Sequence, residues 1–403
     1  RDRSPSRGLG DVYKRQHLTR ASLCIDITPD SLDSELSALK AWMEEEKDTV
    51  YQAILNNLLG YYILDTGKKD ETAIDTAIAY FQRSLQDKEI LFRKSAVDYR
   101  PMTNSKELSE KYCGDNMYQL LARQAISRLS GYFIANPVSA EKIQTEILSI
   151  YDGLIDFYRQ QGMTDARLLL MLDKLHYKGN DVSRGGVNER LRLTDEQVIT
   201  LLKQWAEEFA DSPLCGEVYC QLAERYDRMQ DYTAKLKAAQ TGLAKYPRSL
   251  SANDLKEQIA EVLTPRLMVE IPFAYPGKDV DLKVKYRNLA GLTVELYRMN
   301  LPVTSPVLER EINASTLSQY GKLVSSRHYD LAATPDYKET DTLLRYKFPV
   351  EGIYVVKSIP DGHRKYTAYG KAYVSSLQAI SLGLPDGCLL YTSPSPRDGL
   401  LSR

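Results

Sequence analysis

Up to Leu263 the apolar residues of this chain recur every three or four positions, and from Leu267 onward they alternate with polar ones. In the run 280–287, VDLKVKYR, every even position is apolar and every odd one is charged. Successive side chains of a strand point to opposite faces, so this pattern marks a half-buried β-strand. Thr293 to Arg298 nearly repeats it, after a turn over Asn288 to Gly291. Pro265 stands at the changeover, where its missing N–H and fixed φ oppose the continuation of a helix. The pattern therefore predicts a helical body followed by a β module.

Within the helical body, Ser31 to Met43 is expected to open as a helix, with Pro29 and Asp30 as start signals and Ser31 or Ser34 as caps. A second helix is expected over Val50 to Leu64, with Ile54, Leu55, Leu58, Leu59 and Tyr62 on one stripe. Gly67 to Asp70 breaks it. Ala73 to Leu85 then places Ile74, Ala77, Ile78, Phe81 and Leu85 on one face, which predicts an antiparallel helical hairpin. Further helices are predicted over Asn116 to Phe133, Glu141 to Gln160, Ala166 to His176 and Thr194 to Phe209, the last opened by a capping box, Thr194-Asp195-Glu196-Gln197. Lys178 to Asn188 is a loop, either a solvated connection or a binding loop. In Glu217 to Pro247, Tyr219, Leu222, Ala223 and Tyr226 precede Ala239, Gly242 and a closing Pro247. That order resembles the tetratricopeptide repeat, although Lys235 stands where the repeat has a small residue. Such hairpins stack into a superhelix because none buries its apolar face alone. The stack offers a concave gripping surface or serves as a spacer packed on its own β domain.

The β module is expected to start with Leu267 to Ile271 and a turn at Tyr275-Pro276-Gly277-Lys278, ahead of the two alternating strands. Leu301 to Thr340 has weak periodicity, and its middle, Leu317 to Val324, suits a short helix or a strand. Leu344 to Val350, Gly352 to Lys357 and Ala368 to Ile380 complete the set, with a turn at Pro360-Asp361-Gly362. Short strands between turn residues predict an antiparallel sandwich. The fold class is thus α+β by domains: an N-terminal α-α superhelix, then an antiparallel β-sandwich.

Composition narrows the function more than the fold. With 403 residues, 43% of them hydrophobic and 27% charged, the chain has ample material for a core and for about two or three domains. A net charge of −1 provides no basic field for nucleic acid or an anionic membrane. No apolar run approaches the ~20 residues that span a bilayer. The 28 tyrosines suit partly wet surfaces and interfaces. Cys24, Cys113, Cys215 and Cys220 are scattered, and the last two diverge on a helix, so no disulfide is expected between them. His17, His176, His328 and His363 lie outside metal-ligand spacing, and there is no HExxH or GxSxG. Gly67-Lys68-Lys69 lacks the upstream glycine of a P-loop, and Glu44 to Glu46 is a solvated helix end. An acidic calcium cluster of Asp341, Glu351 and Asp361 is the one metal arrangement worth checking. No catalytic, cofactor-binding or metal-binding residue is expected.

The two ends carry a different signal. Cys388 to Asp398, CLLYTSPSPRD, can be encoded by a DNA segment whose reverse complement, read one base on, encodes Ser6 to Arg15, SRGLGDVYKR. That pairing resembles a transposase adapter of sequencing libraries, so residues 1–16 and 388–403 are expected to be translated adapter. The domain plan is then a helical repeat-like domain over 17–265 and a β domain over 266–387.

The order of helical repeats, then VKYRNLAGLTVELYRM, then the PVEGIYVV strand, then AYVSSLQAIS, resembles the bacterial alpha-2-macroglobulin family, in particular its Bacteroidetes-type members. The resemblance covers about Arg266 to Leu382 and implies that the β domain is a first macroglobulin-like sandwich. It further implies a non-catalytic N-terminal fragment of an endopeptidase inhibitor that works by trapping, with the fragment as scaffold and docking region. Its partners would be downstream macroglobulin domains and, through regions absent here, proteases. The place would be the periplasm or cell surface, with a possible membrane tether through a missing lipoprotein signal. No CxEQ thioester motif occurs, so none is transferred to any residue. The alternatives are a tetratricopeptide-type surface module that binds peptide or glycan in a nutrient-uptake complex, and an accessory domain of a peptidase.

Overall fold

The computed structural model describes residues 37, 40–66, 71–99, 114–131, 137–180 and 193–377. The adapter-like ends, most of the Ser31 to Met43 helix, the Gly67 to Asp70 turn, the loop after Asn180, and Cys24, Cys113 and His17 lie outside them. Helices come first and antiparallel sheets follow, an α+β order.

Helices α1 (Thr49–Thr66) and α2 (Glu71–Ser84) pack together, and the predicted stripe is the buried one: Ile74, Ala77 and Phe81 are each at most 1% exposed. Asn57 on α1 donates from Nδ2 to the Leu121 carbonyl (3.1 Å), which satisfies a polar group inside the core. A short helix, α3 (Lys88–Phe92), was not legible in the periodicity, being a little over one turn long. Then come α4 (Met117–Gly131), α5 (Pro137–Gln160) and α6 (Thr164–Asn180), whose core is shared with α1 and α2. Phe157 meets Phe92 at 5.2 Å and Tyr118 at 5.1 Å, both edge-on, the geometry that ring quadrupoles favour. Helix α7 (Asp195–Glu208) opens with the expected capping box: Gln197 N–H donates to Thr194 Oγ1 and Thr194 N–H to Gln197 Oε1. Helices α8 (Cys215–Arg228), α9 (Tyr232–Lys245) and α10 (Ala252–Leu263) complete the run.

The chain divides into two compact units, one holding the chain up to Leu222 with Ala244–Ala252, the other Ala223–Leu243 and the chain from Asn253 on. The second unit therefore contains α10 and the sheets together.

The strands are β1 (Arg266–Glu270), β2 (Asp279–Arg287), β3 (Gly291–Met299), β4 (Gly321–Asp330), β5 (Thr340–Lys347), β6 (Gly352–Pro360) and β7 (Ala368–Val374). They form two sheets, β1-β2-β5 and β4-β3-β6-β7, with every pairing antiparallel. Leu282, Val284 and Tyr346 of the first sheet and Leu292, Val294 and Val356 of the second share one apolar core. Burying side chains of this size contributes roughly 1.5–3 kcal/mol each. Tyr346 donates its hydroxyl to the Val294 carbonyl (3.0 Å), crossing from one sheet to the other. A bridge between Ala274 and Val374 joins the segment after β1 to β7.

Two details depart from the periodicity. The Leu317 to Val324 segment is both helix and strand: α11 (Ala314–Tyr320) runs directly into β4. Strand β4 is an edge with most residues exposed, so nothing enforced alternation along it. A bulge opposite Leu296 and Tyr297 leaves Val324 without a partner, a device that discourages edge-to-edge pairing with another chain.

Candidate functional site

The groups weighed for chemistry do not converge. Asp341 pairs with Lys283 (3.3 Å), Glu351 accepts from the Ser376 N–H (3.0 Å), and Asp361 meets His328 (2.8 Å). The three acids of the calcium idea thus belong to three separate sets of contacts. Among the described residues no group of three or more His, Cys, Asp or Glu is placed to hold a metal. His176 is exposed on α6, and the His363 ring lies 6.3 Å from Tyr366. Cys215 and Cys220 are buried and form no disulfide. Burial pushes the Cys215 thiol above its ordinary range, which keeps the nucleophilic thiolate scarce.

Two arrangements in the second unit are built instead. The first joins the last helix to the first β-hairpin. Lys235 on α9, its side chain 3% exposed, reaches Asp227 and Glu261, each at 2.7 Å. Burial pulls its pKa down, but hydrogen bonds to the two carboxylates more than offset that, and the net shift is upward. A residue that breaks the small-residue pattern is thus accommodated by two acids, one on α8 and one on α10. At the C-terminus of α10, Arg287 donates to the Glu261 carbonyl (2.6 Å) and Asn288 Nδ2 to the Val262 carbonyl (2.7 Å). Carbonyls of a last helical turn have no partner within the helix, and here the end of β2 and the turn behind it supply one. Asn288 holds φ +56°, the left-handed conformation that Asn tolerates better than most residues, and this aims its amide at the helix. The Arg287 guanidinium lies 5.9 Å from the Tyr232 ring of α9.

The second arrangement is a polar cleft of about 590 Å³ on the outer face of β3 and β6. Half of that face is covered, since Leu308, Ile312 and Leu317 of the 300–320 connection pack on Ile353 and Val355. The other half is open and lined by Thr293, Glu295, Lys357, Ile359, Arg364 and Thr367, with Asp361 in the wall. Glu295 Oε2 accepts from Lys357 Nζ (2.8 Å) and from the Tyr297 hydroxyl (3.0 Å). Burial lowers the Lys357 pKa, but Glu295 more than restores it. Thr367 donates to the Arg364 carbonyl (2.6 Å) and fixes the turn. Asp361 Oδ2 meets His328 Nε2 (2.8 Å), while its N–H donates to the Gly291 carbonyl (3.1 Å). That hydrogen bond raises the His328 pKa above the ordinary histidine value. A Cβ at Gly291 would crowd Asp361 Oδ2 and His328 Nε2, so a larger residue here would have to push this pair aside.

Neither arrangement was legible in the sequence. Thr293 and Glu295 are about 60 positions from Lys357 and come beside it only through β3–β6 pairing, which sets Glu295 opposite Lys357. Comparison with known proteins adds no assignment: no protein-family profile matches the chain, and no curated protein matches it. Among the described residues, no helix is long and apolar enough to cross a membrane.

Proposed function

We propose that this chain is a non-catalytic, N-terminal part of an alpha-2-macroglobulin-like protease inhibitor, acting as scaffold and docking region for an extracytoplasmic trap. In this reading the helices form a tetratricopeptide-like superhelix, and the paired sheets are the first macroglobulin-like β-sandwich. The observation that carries it is the joint at the end of α10. Carbonyls of the last helical turn are held by Arg287 and Asn288, so the direction of the helix and that of the first hairpin are coupled. A trap has to set its domains at defined angles around a protease, and a helix tied into a β domain serves that purpose. Two antiparallel sheets with a common apolar core support the sandwich. Downstream macroglobulin domains would carry the contact with proteases, and a lipid tether would hold the assembly at the membrane.

Reading the uninterrupted gene through the codon of Gly387 tests the proposal. Further β-sandwich domains are expected beyond it. A stop codon close downstream would defeat the trap and leave a self-standing binding module in its place.

A further inference from the structure

We propose that the cleft on the outer face of β3 and β6 is a binding site for an oxyanion, a carboxylate or a phosphate group. The inference goes beyond the trap reading and does not depend on it.

The charges in the cleft decide the sign of the ligand. Glu295 is matched by Lys357 and by the Tyr297 hydroxyl, and Asp361 is matched by His328. Arg364 is exposed at the rim, and its guanidinium has no carboxylate partner among the described residues. When His328 is protonated against Asp361 the charge left over is positive, and it sits on the side chain whose planar fork fits a carboxylate or phosphate in two parallel hydrogen bonds. Lys357, 21% exposed, uses one N–H on Glu295 and lies 5.9 Å from the Tyr297 ring, which leaves two further N–H groups for a ligand. Thr293, across the β3–β6 pair from Ile359, adds a hydroxyl with no partner of its own among the described residues. Ile359 and Pro360 give the cleft an apolar wall that excludes water from one side of a bound group.

The turn carrying Arg364 is also held in place. The Asp361–His328 contact, together with the Asp361 N–H on the Gly291 carbonyl, ties it to β4 and to the start of β3. Gly291 leaves the space for this clamp. A recognition side chain on a fixed turn loses less entropy on binding than one on a free loop.

Isothermal titration calorimetry on the whole chain tests the site with two probes, inorganic phosphate and a short peptide with blocked ends carrying one aspartate, with the asparagine peptide as the control. Saturable binding of either probe is expected, weakened about tenfold or more by Arg364→Ala and partly restored in Arg364→Lys. Thr293→Val is expected to weaken it less, by about threefold. Arg364 is exposed, so its variants are expected to melt with the wild type, and a melting curve checks this. Phosphate binding alone would identify a free oxyanion as the ligand, and peptide binding alone a protein-borne carboxylate. The proposal is overturned if neither probe binds, if Arg364→Ala binds as well as the wild type, or if the asparagine peptide binds as tightly as the aspartate one.

Discussion

Lys235 combines a nearly buried side chain with two half-exposed carboxylate partners, which separates packing from charge at one residue. Replacing it by Ala removes the aliphatic stem and both ion pairs, with an expected loss of about 1–3 kcal/mol in chemical denaturation. Lys235→Met keeps most of the volume and lets Asp227 and Glu261 return to water, so its loss should stay below about 1.5 kcal/mol. A Met variant as unstable as the Ala variant would mean that charge, not packing, holds this place. Because the folded-state pKa of Lys235 is raised, its pairing stabilises the fold below the ordinary lysine value and is lost as pH rises through the raised one. His328 follows the same sign at a lower pH: its contact with Asp361 stabilises below the ordinary histidine value and fades as pH climbs through the raised one. In an NMR titration His328 should show a midpoint above that of an unperturbed histidine. Asp361→Asn and Gly291→Ala should both lower it, the first by removing the acceptor charge and the second by displacing the carboxylate, while Asp330, 3.9 Å from Nδ1, keeps its smaller share. An unchanged midpoint in both variants would rule out the clamp.

At the scale of elements, the C-terminus of α10 is the sensitive point. Arg287 is 3% exposed and spends its guanidinium on carbonyls of Glu261 and Thr264, and Asn288 takes that of Val262. Arg287→Ala would leave the part-buried carbonyls of Glu261 and Thr264 without this donor, and an expected loss of about 1–3 kcal/mol follows. The measurement is the denaturation midpoint, and amide exchange should show the gain in opening concentrated in the last turn of α10. How legible an element was depended on what surrounds it. Strand β2 alternates in sequence because one of its faces meets the core and the other meets water. Strand β4 does not, because it is an edge with solvent along most of its length, so period two was never imposed on it. In β6, residues 353–356 are buried on both faces, one by the shared core and one by the 300–320 connection, and the run reads as continuously apolar.

For the whole molecule, the grouping of α10 with the sheets makes a prediction about where the chain can be cut. A fragment of residues 215–377 retains Lys235, Glu261 and the carbonyls that Arg287 and Asn288 cap, whereas residues 266–377 retain none of them. The shorter fragment should melt at least about 5 °C lower in calorimetry, since a loss of 1 kcal/mol moves the midpoint of a domain of this size by roughly that much. Equal midpoints would show that the β module closes on itself without the helix. The break in periodicity at Pro265 marks the change of backbone conformation, and the energetic boundary, as judged by these contacts, falls earlier in the chain.

The order of elements was legible along most of the chain because side-chain direction is local: a period of three to four or of two is written into neighbouring residues by the face each presents. The capping box at Thr194 and the turn at Asn288 were legible for the same reason. Pairing across long separations was not. That β2 lies beside β5, that β3 sets Glu295 against Lys357, and that Asp227 and Glu261 close on Lys235 were decided by packing alone. Such contacts depend on which apolar faces come together, and the charges they bring within reach of one another carry no mark of it in the intervening sequence.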